Sequence, residues 1–307
     1  IPGFIGTAPL SLAEILKDAG FRTAAFVSSF TVDSRFGLDQ GFEVYDDRWA
    51  GGGALEDPGS ERRAAATAAS FSRWLEANGG QKFFGWVHFY DPHLPYDPPS
   101  PFKERFAARP YDGEIASMDE SIGKIVGQLR DRGLLENTLI VVAGDHGEAL
   151  GEKGELDHGL YIYDVTLKVP LILCGGKRLP RGIVVPSRVR LIDVMPTVLE
   201  ILGLPPAGRV QGLSLLDHIF GRRKDDLGTY VETYYPRENY RWSELIGLID
   251  GTWKYIRAPR EELYDLARDP AEERNEIGRE GRRGAELRRK LEEMIREQSS
   301  ALEAGRV

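Results

Sequence analysis

The feature that most constrains the fold is a run of β-branched residues that leads into Gly144-Asp145-His146-Gly147. Residues Ile140–Ala143, bounded by glycine, are typical of a buried strand in a parallel sheet. Open α/β sheets bind ligands beyond the carboxyl ends of their strands, which is where Asp145 and His146 would then lie. A carboxylate oxygen and an imidazole nitrogen are both metal ligands near neutral pH, so the pattern predicts a metal site. The alternative interpretation is that the two residues only cap the turn after the strand.

The length of the chain fits a large α/β domain followed by a smaller one. A chain of 307 residues can bury a sizeable core. Beyond Gly221 the sequence becomes rich in charges and then in short β-type runs, which predict a small antiparallel sheet. These runs cover residues 229–235, 245–249, 253–257 and 262–266. We therefore predict an α/β domain over residues 1–221 and an α+β subdomain over residues 222–307.

Hydrophobic periodicity predicts alternating helices and strands in the larger domain. A first helix begins after Ser11 and ends at Gly20. Further helices are predicted at residues 61–78, 111–132, 160–167 and 193–202, the last of these capped by Asp193, and a closing helix is predicted at residues 286–298 of the smaller subdomain. Strands are predicted at residues 21–28, 83–90, 169–174 and 189–191, and residues 29–60 form a long irregular segment rich in aromatic side chains.

The charge of the chain excludes nucleic acid as a partner. There are 40 Lys and Arg residues against 48 Asp and Glu residues, a net charge of −8, without a long like-charge run. The basic footprint of a nucleic-acid-binding protein is therefore missing. The apolar runs are far shorter than the roughly 20 residues that a transmembrane helix needs, so no span is predicted in this chain.

Cys174 is the single cysteine and lies in an apolar run. Because it has no partner in the chain for a disulfide, we predict that it is a small buried hydrophobic residue.

The start of the chain resembles the middle of a protein. Ile1-Pro2-Gly3-Phe4 has no initiator methionine, and the helix and strand at residues 11–28 form the second half of a wound α/β unit. We expect the first half, and any targeting signal, upstream of Ile1. The location is therefore open, and a periplasmic, secreted or cell-envelope location would follow if a signal precedes Ile1.

A proline-rich loop follows the strand predicted at residues 83–90. Four prolines between Asp91 and Pro99 restrict the backbone, so His93 is held on a stiff segment. A rigid loop that carries a histidine suits a binding site. The alternative interpretation is a plain connector whose polar residues are solvated.

Taken in order, several segments resemble the sulfatase family of the alkaline-phosphatase superfamily. They are residues 11–28, 36–42, 86–99, 144–159, 163–164, 168–170, 253–256, 262–266 and 269–270. The resemblance implies an α/β fold, with a mixed, mostly parallel central sheet between helices and a small C-terminal antiparallel sheet. It also implies a metal-dependent hydrolase of sulfate esters.

The resemblance also implies roles for individual residues. Asp145 and His146 match metal ligands of the family, and His93 matches a histidine that contacts the oxyanion or leaving group of the ester. His158 falls where the family places a Lys or His near the bridging oxygen, and Lys153, in the same loop, is a rival for that role. Sulfatases that resemble this chain hold Ca²⁺, so we expect Ca²⁺ first, with Mn²⁺, Mg²⁺ and Zn²⁺ as alternatives. The two other histidines, His88 and His218, are predicted to be structural.

The chain departs from the family pattern at its nucleophile. Family members carry two aspartates on an N-terminal strand and a Cys/Ser-x-Pro-Ser-Arg segment, and neither occurs in this sequence. Cys174 is followed by Gly175-Gly176-Lys177 and is not that nucleophile. The resemblance thus implies a piece of a hydrolase that is inactive by itself.

Three functions agree with these residues. The first is hydrolysis of a small sulfated substrate. The second is a phosphodiesterase or phosphonate monoester hydrolase acting on a phosphorylated substrate, because the same scaffold supports both chemistries. The third is a non-catalytic binding protein that retains the fold. The sequence leaves the oligomeric state open.

Overall fold

A computed structural model of the chain describes residues 10–48, 61–206 and 210–303, with side chains to residue 297. The chain divides into two units, Ile1–Thr138 and Leu139–Val307. The boundary predicted after residue 221 falls inside the second unit and stays a prediction. Residues 49–60 of the segment predicted to be irregular, with the aromatic Trp49, lie outside the described residues.

A three-stranded parallel sheet lies at the centre of the first unit, with strand order β2-β1-β3. The elements are α1 (Leu12–Asp18), β1 (Arg22–Phe26), β2 (Val44–Asp46), α2 (Ala64–Asn78), β3 (Phe83–Val87), α3 (Phe102–Arg105) and α4 (Pro110–Asp131). The sheet confirms the predicted parallel α/β class. β2 was missed because it is a three-residue strand within the segment predicted to be irregular.

Local capping explains where α1 begins and ends. The Ser11 hydroxyl accepts a hydrogen bond from the Glu14 backbone N–H at 3.1 Å, and the Glu14 carboxylate accepts one from the Ser11 N–H at 2.8 Å. This reciprocal pair is a capping box. Gly20 then ends the segment with a φ of +82°, a conformation that costs glycine little. The chain is thereby directed into β1, whose Ala24 and Ala25 are fully buried.

The first part of the second unit differs from the prediction in strand direction and burial. It contains β4 (Ile140–Ala143), α5 (Asp164–Leu167), β5 (Leu171–Cys174), α6 (Val194–Leu202) and α7 (Leu216–Ile219). β4 pairs with β5 in an antiparallel ladder, whereas we predicted β4 as a buried strand of a parallel sheet. Exposure alternates along β5, with Ile172 59% exposed and Cys174 exposed. The prediction that Cys174 is buried was therefore wrong, because an apolar run can belong to a strand that is covered on one face.

The strand predicted at residues 189–191 is also absent. Residues Leu191–Asp193 form a 3₁₀ turn instead. The fully buried Asp193 carboxylate accepts hydrogen bonds from the Arg190 N–H at 2.8 Å and from the Leu213 N–H at 2.9 Å. Asp193 therefore ties the turn to a distant segment. It occupies the predicted N-cap position of α6, but its side chain makes no capping hydrogen bond to that helix.

An antiparallel sheet of four strands, in the order β6-β7-β8-β9, completes the second unit and confirms the predicted C-terminal sheet. The elements are β6 (Thr229–Thr233), α8 (Tyr235–Tyr240), β7 (Leu245–Asp250), β8 (Trp253–Arg257), β9 (Glu262–Asp265) and α9 (Gly281–Glu303). Leu287 and Leu291 of α9 pack on Leu248, Tyr255 and Leu263 to form its core. α8 was not predicted. It begins at Tyr235, which is the last residue of the predicted β-type run 229–235.

None of the helices within the described residues is both long and apolar enough to span a membrane.

Candidate functional site

Residues 144–159, which lie in the loop between β4 and α5, fold back on themselves. The Ala149 N–H donates to the Asp157 carbonyl at 3.1 Å, and the Gly151 N–H donates to the Glu155 carbonyl at 2.9 Å. Glu155 in turn accepts a hydrogen bond from the Leu160 N–H at 2.7 Å. These bonds return the end of the loop to its beginning, so residues 146 and 158 meet. We call residues 144–159 the active loop.

Gly147 allows the active loop to pass close to α5. Its N–H donates to the Thr166 carbonyl at 2.8 Å, and a Cβ at this position would lie 2.2 Å from the Val165 carbonyl oxygen. That separation is too short for any side chain, so the backbone would have to move.

We expect Gly147→Ala to lower the free energy of unfolding by about 1–3 kcal/mol, the usual effect of overpacking. Denaturant titration measures the change. Gly127→Ala on α4 is the matched control, because nothing lies within 4 Å of a Cβ there. The control should be neutral or slightly stabilising, since alanine favours a helix. Equal stability of both variants would contradict the close approach.

Two stacked imidazoles lie at the centre of the active loop. The rings of His146 and His158 are 3.8 Å apart between centroids and inclined by 28°. The His158 Nδ1 lies 2.7 Å from an Asp157 carboxylate oxygen and 3.3 Å from a Glu148 carboxylate oxygen. Two carboxylates at this nitrogen favour an Nδ1–H donor on the His158 ring.

The donor atoms of Asp145 and His146 fit a divalent cation. The His146 Nδ1–H donates to the Gly147 carbonyl at 3.0 Å, which leaves the Nε2 lone pair for a ligand, as is usual for metal-binding histidines. An Asp145 carboxylate oxygen lies 3.7 Å from that Nε2. Two ligand atoms that each lie about 2.0–2.6 Å from one ion can have this separation. The Asp145 side chain is 78% exposed and is therefore accessible to an ion.

A second donor set shares His146. One ligand atom each from His146, Glu148 and His158 lie within 4.8 Å of one another. In that arrangement His158 would be a ligand rather than a proton donor, so the two sets assign different chemistry to the same ring.

Lys153 lies against the C-terminal sheet. Its ammonium group donates to the Glu272 carbonyl and lies 5.0 Å from the centroid of the Tyr163 ring and 5.9 Å from that of Tyr264. The backbone of Lys153 adopts a left-handed φ of +57° at the tip of the active loop. The contacts of its ammonium group with Glu272 and the two tyrosine rings hold this tip in place. The predicted role of Lys153 near the bridging oxygen stays a prediction.

His93 is held rigidly within the first unit. Its ring stacks on Tyr90 with centroids 4.2 Å apart, and its Nδ1–H donates to the Leu94 carbonyl at 2.7 Å. The Glu114 carboxylate of α4 accepts hydrogen bonds from the backbone N–H groups of His93, at 3.1 Å, and Asp97, at 2.7 Å. The stiff loop predicted from its prolines is therefore also pinned to a helix.

Glu114 is nearly fully buried, and this burial raises the pKa of its carboxyl group, although the Asp97 and His93 N–H donors and the charge of Arg63 lower it. Glu114→Gln would turn an NH₂ group towards one of the two backbone N–H donors. We expect a loss of about 1–3 kcal/mol in unfolding free energy, the cost of an unsatisfied buried donor. Glu120→Gln, on the exposed face of α4, is the control. Equal denaturation midpoints for the two variants would contradict the role of Glu114.

No motif in the sequence indicates the partners of His158. Asp157 precedes it directly, but Glu148 is ten residues away and reaches Nδ1 because the loop folds back. Sequence reasoning also missed Asp91, whose carboxylate accepts from the Ala64 N–H at 2.9 Å and caps α2 from a distance.

A buried ionic cluster joins two of the segments that resemble sulfatases, residues 163–164 and 253–256, to Glu272. The fully buried Lys254 ammonium group lies 3.1 Å from an Asp164 carboxylate oxygen and 2.8 Å from one of Glu272. Glu272 also accepts from the Asp164 N–H at 2.6 Å. Burial raises the pKa of Glu272, and the charge of Lys254 opposes this shift. The cluster fixes α5, and with it the end of the active loop, to β8.

Comparison with known proteins now identifies the family. The sequence profile of the Sulfatase family matches residues 3–204, most of the chain. The chain belongs to the sulfatase family. A second profile, N-sulphoglucosamine sulphohydrolase, C-terminal, matches residues 151–301. The active loop of this sulfatase-family chain lies within the first match, and its residues 151–159 lie in the overlap of the two matches.

Curated relatives match part of their length. Arylsulfatase K of Xenopus laevis is 28% identical over 201 residues, which are 60% of this chain and 36% of that protein. The chain spans about a third of the length of the first curated relatives that it matches.

Solved structures share the fold, which is that of the alkaline-phosphatase-like sulfatases. BT4656, solved in complex with its substrate D-glucosamine-2-N,6-O-disulfate, aligns with a TM-score of 0.77 at 19% identity, over 97% of this chain and 84% of its own. The phosphonate monoester hydrolase of Agrobacterium radiobacter aligns with a TM-score of 0.74 at 19% identity, over 99% of this chain and 82% of its own. At these identities the similarity concerns the fold alone.

Proposed function

We propose that the protein containing this chain hydrolyses sulfate esters of small molecules. The observation that carries the proposal is the arrangement of the active loop, where the His158 Nδ1 faces two carboxylates and the ring stacks on His146. The match of the Sulfatase profile across this loop supports the same reaction.

The Asp145 carboxylate and the His146 Nε2 would hold a divalent cation. When bound, the cation supplies positive charge that offsets the negative charge of the sulfate group and of the attacking oxygen. We propose Ca²⁺, by resemblance to the family, and Mn²⁺, Mg²⁺ or Zn²⁺ would bind the same donors.

His158 would act as the general acid. The Glu148 carboxylate accepts from Nδ1–H, and an Asp157 carboxylate oxygen lies 2.7 Å from the same nitrogen. The ring is thereby fixed, and Nε2–H would donate to the oxygen that leaves with the organic part of the substrate. Protonation of this oxygen matters most when the leaving group is a poor one, such as an alcohol. We prefer His158 to Lys153 because the Lys153 ammonium group is engaged by the Glu272 carbonyl. The role of His93 towards the ester stays a prediction.

A phosphonate or phosphodiester substrate is the second candidate. It is favoured by the similarity of fold to the phosphonate monoester hydrolase of Agrobacterium radiobacter, which has almost the same TM-score as BT4656. The donor set of the active loop would serve either anion.

The test is an assay of the protein expressed from its complete coding sequence. Turnover of 4-nitrophenyl sulfate, phenyl 4-nitrophenylphosphonate and bis(4-nitrophenyl) phosphate would be compared before and after chelation. We expect the highest kcat/KM for the sulfate ester and its loss on chelation. A preference for either phosphorus ester would support the second candidate, and no turnover of any ester would favour a non-catalytic binding protein.

A further inference from the structure

Large aromatic side chains are exposed on and beside α8. Tyr234, Tyr235, Tyr240 and Trp242 have exposed fractions of 38, 46, 52 and 60%. Exposed aromatic side chains that lie together are a costly feature for a soluble surface and mark contact with a ligand or a partner. We call these four residues the aromatic strip.

The strip has a defined geometry. The Tyr235 and Tyr240 ring centroids are 6.1 Å apart, and those of Tyr240 and Trp242 are 5.1 Å apart. Arg241 has a left-handed φ of +57°, which closes the turn after α8 and allows the Trp242 N–H to donate to the carbonyl of the buried Pro236 at 3.1 Å. A strained non-glycine residue that organises exposed rings is typical of a functional segment.

One end of the strip adjoins the active loop. The Thr233 hydroxyl donates to the Gly159 carbonyl at 2.5 Å and accepts from the Tyr235 N–H at 3.2 Å. The Tyr235 ring lies 3.7 Å from the position of a Cβ on Gly159, the residue that follows His158. A ligand held at His158 can therefore continue onto the strip.

Charged groups of both signs lie around the strip, with Glu232 and Glu244 near Tyr234 and Asp157 near Tyr235. Arg237 and Arg241 are exposed beside the rings, against a single exposed acid on α8, Glu238. The Arg237 guanidinium lies 5.9 Å from the Tyr234 ring centroid and 3.6 Å from a Glu244 carboxylate oxygen. Flat apolar rings beside exposed arginine side chains complement a ligand that has apolar faces and anionic substituents.

We propose that the aromatic strip binds sugar rings of a sulfated oligosaccharide whose scissile sulfate lies in the active loop. The inference rests on the proposed function and narrows its substrate class to carbohydrate sulfates that extend at least one sugar beyond the one attacked. The apolar faces of the sugars would stack on Tyr235, Tyr240 and Trp242, while Arg237 and Arg241 would attract further sulfate groups.

The test compares the protein expressed from its complete coding sequence with Tyr240→Ala and Trp242→Ala. Binding of size-defined heparin and carrageenan tetrasaccharides would be measured by calorimetry, and kcat/KM would be measured for the tetrasaccharides and 4-nitrophenyl sulfate. We expect each substitution to raise the Kd of the tetrasaccharides about tenfold, which is the effect of a lost stacking contact. The value of kcat/KM for the tetrasaccharides, divided by that for 4-nitrophenyl sulfate, should fall by a similar factor. Phe220→Ala, which removes an exposed ring elsewhere in the same unit, is the control and should change neither value.

The outcomes separate this inference from the proposed function. If 4-nitrophenyl sulfate is hydrolysed but the tetrasaccharides bind both variants as they bind the wild type, the strip is not a sugar site and the inference fails alone. If no ester is hydrolysed, the proposed function fails, and the tetrasaccharide Kd still decides the strip. A dimer that becomes monomeric in Trp242→Ala, with unchanged saccharide binding, would show that the strip binds a second copy of the chain and would overturn the inference.

Discussion

His158→Ala should lower the kcat for alkyl sulfate esters by about 10²–10⁴-fold, the usual contribution of a positioned general acid. The effect should be much smaller for 4-nitrophenyl sulfate, because its leaving oxygen needs little protonation. The Asp157 and Glu148 carboxylates lie at the His158 Nδ1 and orient the ring, and Nε2 is the nitrogen that we propose protonates the leaving group. The measurement is kcat across a series of esters that differ in the pKa of the leaving group.

A neighbouring substitution separates the chemistry from disturbance of the loop. Leu156 is 70% exposed in the same loop, so Leu156→Ala should leave the whole series unchanged. Equal losses of His158→Ala across all leaving groups would reject His158 as the acid and would favour the donor set in which His146, Glu148 and His158 act together as ligands.

Lys254→Met should lower the free energy of unfolding by about 3–5 kcal/mol, which is typical when one partner of a buried ion pair is removed. The Glu272 carboxylate, with its side chain 2% exposed, would lose the cation that compensates its charge. Chemical denaturation at neutral pH measures the loss. Lys290→Met is the control, because the partly exposed pair of Lys290 with Asp250 should contribute less than about 1 kcal/mol.

The pH dependence of Lys254→Met provides a second check. Burial already raises the pKa of Glu272, and removal of the cation raises it further. A carboxyl group with a raised pKa in the folded state favours folding when protonated, so this contribution is present at low pH and lost as the pH rises through the folded pKa. The stability deficit should therefore shrink on acidification. A deficit that is small at neutral pH, or that grows on acidification, would contradict this role of the cluster.

The parts of the fold that could be predicted from sequence are those with short-range signals. Ser11 and Glu14 are three residues apart and form the predicted helix start, and the turns between the C-terminal strands separate runs of two-residue period. The direction and exposure of β5 could not be predicted, because Leu171–Cys174 reads the same in a buried parallel strand and in a half-covered antiparallel one. Pairing partners are set by tertiary contacts that local sequence does not encode.

The candidate site follows the same rule. Asp145, His146 and His158 could be proposed from a motif and from resemblance, and the structure brings the two histidines into contact. Glu148 and Glu272 could not be assigned from sequence. Glu148 contacts the His158 Nδ1 only because the active loop folds back, and Glu272 accepts a hydrogen bond from Asp164, which is 108 residues away in the chain. Long-range hydrogen bonds of this kind require coordinates.

The central claim is that Asp145 and His146 form a divalent metal site in the active loop. The most direct measurement is elemental analysis of the protein, expressed from its complete coding sequence and purified without chelator, beside Asp145→Asn and His146→Ala. The Asp145 and His146 side chains are 78% and 42% exposed and lie outside the core, so the variants should fold as the wild type does. We predict about one divalent ion per wild-type chain, with Ca²⁺ as its identity, and loss of that ion in both variants. Retention of the full metal content by both variants, or a wild-type protein that binds no divalent ion under any metal supply, would contradict the claim.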